Sequence, residues 1–184
     1  MHAISSLTSI ITLLPIALAM PHGRQVVHEF DLTELHGTFP SDGPYGTGPI
    51  NSSLSIKVTY PDPSSTDGAN LTTTCSYAWP ASVSPGPIDW TACEDPSVAW
   101  RLNNWTSSGN YRVELYQTLT ADGAGLDASH QLTVAPGMPS NPNAYLSCLQ
   151  MGKFTPTVCQ INGPLSALPG PVVMYASEEA VRPN

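Results

Sequence analysis

His28, Glu29, Asp31, Glu34 and His36 crowd into one short stretch, and their imidazole and carboxylate groups are of the kind that hold zinc or a harder divalent ion. A metal needs them to converge on one point. On an extended chain Glu34 and His36 share one face while Glu29 and Asp31 lie on the other, so the stretch reads as a polar strand edge. No metal ligand and no cofactor is assigned to it. Glu94 and Asp95, beside Cys93, offer half of a glycosidase pair, a chemistry that needs two carboxyl groups about 5–9.5 Å apart across a sugar. Adjacent carboxylates on a loop are more often solvated turn formers. The sequence contains neither G-x-S-x-G nor H-E-x-x-H, so the common hydrolase routes have no motif here. The chain is read as non-enzymatic, with a wall-directed glycoside hydrolase or carbohydrate-binding module as the competing class and a structural wall component as a third.

Two residues are candidates for binding. His130 sits on an otherwise apolar alternation of Leu126, Ala128, Leu132 and Val134, where a histidine serves as a core or rim residue and, at a barrel mouth, would respond to acidification. Trp79, Trp90, Trp100 and Trp105 could each offer a flat face for a sugar or a phenolic ring. Trp100 alternates with Val98 and Leu102 and belongs to the core. Trp105 lies in a polar stretch inside a glycosylation sequon and is the surface candidate.

Several features point to export. The run SLTSIITLLPIALA is apolar, too short to span a bilayer, and followed by the small-x-small pattern Ala17, Leu18, Ala19, which predicts a signal peptide over residues 1–19. Sequons begin at Asn51, Asn70 and Asn104, the acceptor pattern of a secreted glycoprotein. In an exported chain the four cysteines, Cys75, Cys93, Cys148 and Cys159, form disulfides rather than a zinc knuckle, whose C-x2-4-C spacing is missing. Four cysteines allow three pairings. The sequential one closes two local loops, each constraining the unfolded chain by ~3 kcal/mol. A net charge of −8 repels phosphate backbones and anionic lipid, which excludes nucleic acid and leaves no membrane role once the signal is removed.

A chain of 184 residues fits one domain with a real core. The elements that must position these residues carry the period-2 pattern of half-buried strands. Leu54, Ile56 and Val58 alternate with polar neighbours; Leu71, Thr73, Cys75 and Tyr77 share a side; Tyr111, Val113 and Leu115 predict a strand that forms a hairpin with residues 126–134 across the turn AlaAspGlyAlaGly. HEFDLTELHGTFP predicts a strand with a bulge where Leu35 breaks parity. Further short strands are expected around Cys148, around Cys159 and at ValValMetTyr. No segment sustains a helical period. The expectation is an all-β, compact antiparallel barrel of about eight to ten short strands over residues 28–176, preceded by a loose lead-in over 20–27 and followed by a flexible tail over 177–184.

The opening strand PheAspLeuThrGluLeuHisGly, the strand LeuSerIleLysVal, the pair ThrCys75 and TrpThrAlaCys93, the run ValAlaTrpArgLeu, and Cys148 followed by PheThrProThrValCys159Gln occur in an order that resembles the small secreted fungal β-barrel proteins typified by the major Alternaria allergen. That resemblance runs from about Phe30 to Tyr175. It implies two intrachain disulfides paired in sequence order, secretion by a fungus, allergen- or elicitor-like behaviour, and binding of a host plant protein or a small aromatic ligand without catalysis. The family's additional N-terminal cysteine, which links two subunits, has no counterpart between Pro21 and Thr74, so no interchain disulfide is expected.

Overall fold

A computed structural model describes residues 28–40, 50–80, 83, 85–134 and 141–183. The expected signal peptide over 1–19 and lead-in over 20–27 lie outside the described residues. The chain is all-β, with ten strands and no helix among the described residues: β1 His28–Phe39, β2 Ser52–Pro61, β3 Asn70–Trp79, β4 Thr91–Ala92, β5 Val98–Ser107, β6 Asn110–Thr118, β7 Gly125–Thr133, β8 Leu146–Gln150, β9 Thr157–Ile161 and β10 Val172–Glu179. All strand pairs are antiparallel, and eight strands run in the order β3-β2-β1-β10-β7-β6-β5-β4 to make a nearly closed barrel. β1 is the hub. One edge pairs with β2, while the other is shared between β10 over His28–Leu32 and β9 over His36–Phe39.

The alternating sequence patterns become the inner wall. Leu54, Ile56 and Val58 of β2, Val98, Trp100 and Leu102 of β5, and Tyr111, Val113 and Leu115 of β6 are all buried, and Trp100 is fully enclosed. Sequestering side chains of this size is the main favourable contribution to the fold, about 25 cal/mol for each Å² of apolar surface removed from water. Thr73 and Cys75 turn inward as expected, whereas Leu71 and Tyr77, nearer the two ends of β3, stay 40% and 39% exposed. The expected bulge is present in β1, where the register to β2 shifts between Leu32 and Glu34. It has a consequence that simple alternation misses. Phe30 and Leu32 point inward before it and Leu35 and Phe39 after it, so Glu29, Asp31, Glu34 and His36 all fall on the outer side rather than on opposite faces.

The ladder does not close the barrel between β3 and β4. That seam is held by the Cys75–Cys93 disulfide, by Glu94 N–H donating to the Thr74 carbonyl at 2.9 Å, and by Asp95 N–H donating to Thr73 Oγ1 at 2.9 Å. Tyr60 from β2 reaches across and donates to Asp95 Oδ2 at 2.5 Å. The second bridge, Cys148–Cys159, joins directly opposed residues of the β8–β9 hairpin. The sequential pairing is therefore the one present.

The C-terminal tail departs from expectation. Residues 177–184 were expected to be flexible, yet Ser177, Glu178 and Glu179 pair with Asp127, Leu126 and Gly125, which carries β10 across the sheet from β1 to β7. Without these last strand residues the two halves of the barrel would lose their ladder connection. Their polarity hid them, because a backbone can pair whatever its side chains prefer.

Removing the seam bridge by Cys75→Ala with Cys93→Ala should cost about 2–5 kcal/mol in urea unfolding. The same treatment of Cys148 and Cys159 should cost less, since their strands stay joined by hydrogen bonds. Equal losses would show that the seam is closed without its disulfide.

Candidate functional site

The end of the barrel at which Phe39, Ser52 and Trp79 meet carries a cluster of aromatic rings. Trp105 is its centre: its ring stacks on Tyr111 at 4.9 Å and 12°, stands edge-on to Trp79 at 6.1 Å and 88°, and edge-on to Phe39 at 5.6 Å and 63°. Tyr77 stacks on Trp79 from the rim at 6.1 Å. Edge-to-face and offset contacts of this kind add ~0.5–1.5 kcal/mol each beyond the area they bury. Gly37 is required beneath them, because a Cβ there would sit 2.7 Å from the Phe39 ring.

Trp105 reaches this position by a local backbone device. It lies within β5 rather than in a polar loop, and the pairing of β5 with β6 is interrupted between Asn103 and Ser107. Asn104 occupies the left-handed region at φ 47°, a conformation that asparagine tolerates better than most residues. Strict alternation after Leu102 would send Asn104 inward. The bulge leaves Asn104 exposed and packs Trp105 against the core instead, half-buried, so the expectation of a free surface tryptophan is corrected.

The part of Trp105 left uncovered faces a groove of about 290 Å³, lined by Pro85, Ile88, Arg101, Leu102, Asn103, Asn104 and the indole itself. Ile88, one of these residues, is 67% exposed, and the exposed Tyr77 ring lies against nearby Gly86. An apolar groove with a guanidinium and amides at its edge can hold a small planar molecule or one side chain of a protein. Tyr111, stacked behind Trp105, is fully buried and its hydroxyl finds no hydrogen-bond partner among the described residues. Burial pushes that phenol well above its ordinary value, so it stays a neutral donor.

The other predicted residues are dispersed. Asn51, Asn70 and Asn104 are all exposed, as acceptors of glycans must be. Asn51 and Asn104 adjoin the aromatic end, whereas Asn70 is opposite Pro61 at the far end of the β2–β3 pair. His130 faces inward as expected, with Tyr145 edge-on at 5.5 Å and its Nε2 buried without a partner among the described residues. It does not share Trp105's ring contacts. Burial, and secondarily the charge of Arg112, hold its imidazole below the usual 6.5.

Asp95 is committed to the seam. The Tyr60 hydroxyl, then the Ser97 backbone N–H, hold its carboxyl below the usual carboxylate range. A glycosidase acid needs the opposite shift. Glu34 lies 3.1 Å from Lys57 Nζ, and no group of three or more His, Cys, Asp or Glu residues able to hold a metal occurs among the described residues. Sequence reasoning missed Phe39, Tyr77, Trp79 and Tyr111 as companions of Trp105, since only the strand register brings them together. Their one shared signal is a position near a strand end.

In comparisons with known proteins, the chain matches no protein-family model, no curated protein and no solved structure at a significant level.

Asn104→Ala should destabilise by about 1–2 kcal/mol through the left-handed backbone, while Asn104→Gly should be close to neutral, as compared by urea unfolding. The depressed His130 value has a definite sign: stability is present above the unfolded histidine value and lost as pH falls toward and through the folded one. Relative to His130→Gln, the wild type should therefore lose stability below about pH 6.5, by up to about 1.4 kcal/mol per pH unit. Parallel urea midpoints across the acid range would reveal the divergence, and superimposable curves would count against it.

Proposed function

We propose that this is a secreted, non-enzymatic protein of the kind represented by the small fungal β-barrel allergens and elicitors, acting through the groove beside Trp105. The observation that carries the reading is the presence of a rigidly held indole and the exposed Ile88 in one groove. The ring is fixed by three aromatic neighbours, so little side-chain entropy is lost when it meets a partner. The groove volume lies at the small end of ligand pockets, which suits a planar phenolic molecule or an anchoring side chain of a host plant protein.

Two disulfides accord with an oxidising, extracellular setting, and no helix among the described residues is long and apolar enough to cross a membrane. The sugar-binding alternative is less favoured by the ring geometry. A carbohydrate platform needs broad exposed faces, whereas Trp79 is 4% exposed and Trp105 gives one face to Tyr111. The hydrolase alternative is opposed by the direction of the Asp95 shift.

Capture from plant apoplastic fluid, and titration with planar phenolics followed by tryptophan fluorescence, test the reading together. Wild type should enrich a host protein over a reduced, unfolded control or give a saturable fluorescence change. Ile88→Asp, at an exposed position, should weaken that binding about tenfold or more with an unchanged melting curve. The absence of both enrichment and saturation would defeat the proposal, and so would binding indifferent to Ile88.

A further inference from the structure

On the outer face of the barrel, joined to the groove through Arg101, the chain holds the segment that follows β10 in a cleft. Beyond β10 the Arg182 guanidinium lies 5.2 Å over the Tyr116 ring and donates to Thr118 Oγ1 at 3.1 Å. The Pro183 carbonyl accepts the Trp90 indole N–H at 2.6 Å. Trp90 stands edge-on to Tyr116 at 6.0 Å and is itself covered by the Arg101 guanidinium at 4.5 Å. Tyr116 points outward from its strand yet is fully buried, and its hydroxyl is tied to the Gly123 carbonyl at 2.6 Å. Asp122, Asp127 and Glu179 surround it with negative charge. Gly125 allows the close approach, since a Cβ there would fall 2.0 Å from the Gln117 carbonyl oxygen and 2.9 Å from the Tyr116 ring.

A platform for a guanidinium, a hydroxyl acceptor beside it, an indole N–H for the next carbonyl and carboxylates whose charge is felt at the Tyr116 phenol are the parts of a site that reads arginine in an extended peptide. We infer that the Trp90–Tyr116–Thr118 cleft is a peptide-binding site for an arginine-proline sequence of a partner protein, occupied in the resting molecule by residues 180–183. The tethered segment competes at an effective concentration on the order of millimolar, so a free partner engages only when the tail is loosened. Lysine is a poor substitute, because its compact ammonium lacks the planar face that lies on Tyr116.

The test uses the full chain and a fluorescently labelled, amidated Ala-Val-Arg-Pro peptide, with binding followed by anisotropy. Arg182→Ala removes the competing guanidinium and should bind the peptide at least tenfold more tightly than wild type, with a lysine-containing peptide correspondingly weaker and high salt reducing both. Far-ultraviolet circular dichroism establishes that the variant is folded, and Arg182→Lys provides a gentler release of the same contact should alanine disturb the fold. A folded variant that binds no better than wild type overturns the inference, and so does equal binding of the lysine peptide. Concentration-dependent dimerisation of wild type that Arg182→Ala abolishes would assign the cleft to tail exchange between copies and overturn the assignment to a partner protein.

Discussion

The barrel depends on closing one seam without a hydrogen-bonded ladder. β3 and the short β4 do not pair, so the two ends of the eight-stranded path are joined by Cys75–Cys93 and by the bonds that Thr73, Thr74 and Tyr60 make to Glu94 and Asp95. An open edge would expose unpaired backbone and the apolar inner wall together. The disulfide removes that alternative by covalent restraint, and Asp95 satisfies polar groups that a missing strand would otherwise leave wet. Its carboxylate accepts from Tyr60 and Ser97, while its own N–H is used by Thr73. Such a residue is unavailable for acid catalysis because its charge is already spent on closure.

With the seam fixed, two small interruptions decide which chemistry faces inward. The β1 bulge between Leu32 and Glu34 shifts parity by one residue, so aromatic and aliphatic side chains remain inside along the whole strand and the acidic and imidazole groups are gathered outside. The Asn104 bulge does the same for β5, exchanging an amide for an indole at the barrel end. In each case one extra residue preserves the burial of a large side chain, a gain of ~1.5–3 kcal/mol or more that outweighs the local loss of ladder bonds. The groove beside Trp105 is a by-product of that exchange, since the bulge that buries the ring also leaves Asn103 and Asn104 standing at its rim.

This explains what the sequence could disclose. Strict alternation in Leu54, Ile56 and Val58, and in the hairpin from Tyr111 to Leu132, announced strands and their inner faces directly, because one face of each meets the core. The polar sequon around Trp105 points to a surface stretch, whereas the left-handed backbone that Asn104 tolerates turns the indole against the core. Simple alternation divides the outer carboxylates of β1 between two faces, although a bulge is legible there. The tail was illegible for a different reason. Ser177–Glu179 carry no apolar alternation, and what holds them is backbone pairing with a strand distant in sequence.

The outer face of β5, β6 and β7 is, in effect, a second packed layer, and its composition explains why a tail is needed there. Arg101 and Glu114 are opposed across the strands with Nε and Oε2 2.7 Å apart and little exposure, and Asn103 donates to the other carboxylate oxygen at 2.8 Å. Charges so enclosed are costly unless every partner is present. Asp127, pushed above its ordinary value chiefly by burial and then by Glu114 and Glu179, marks the residual negative excess. Arg101 is the cation that opposes this rise, while the planar face of Arg182, beyond β10, covers a tyrosine that would otherwise present a large apolar surface to water. The strand that completes the ladder therefore adds Glu179 to the charge on the surface it crosses, and the residues that follow it lay a guanidinium over the Tyr116 ring.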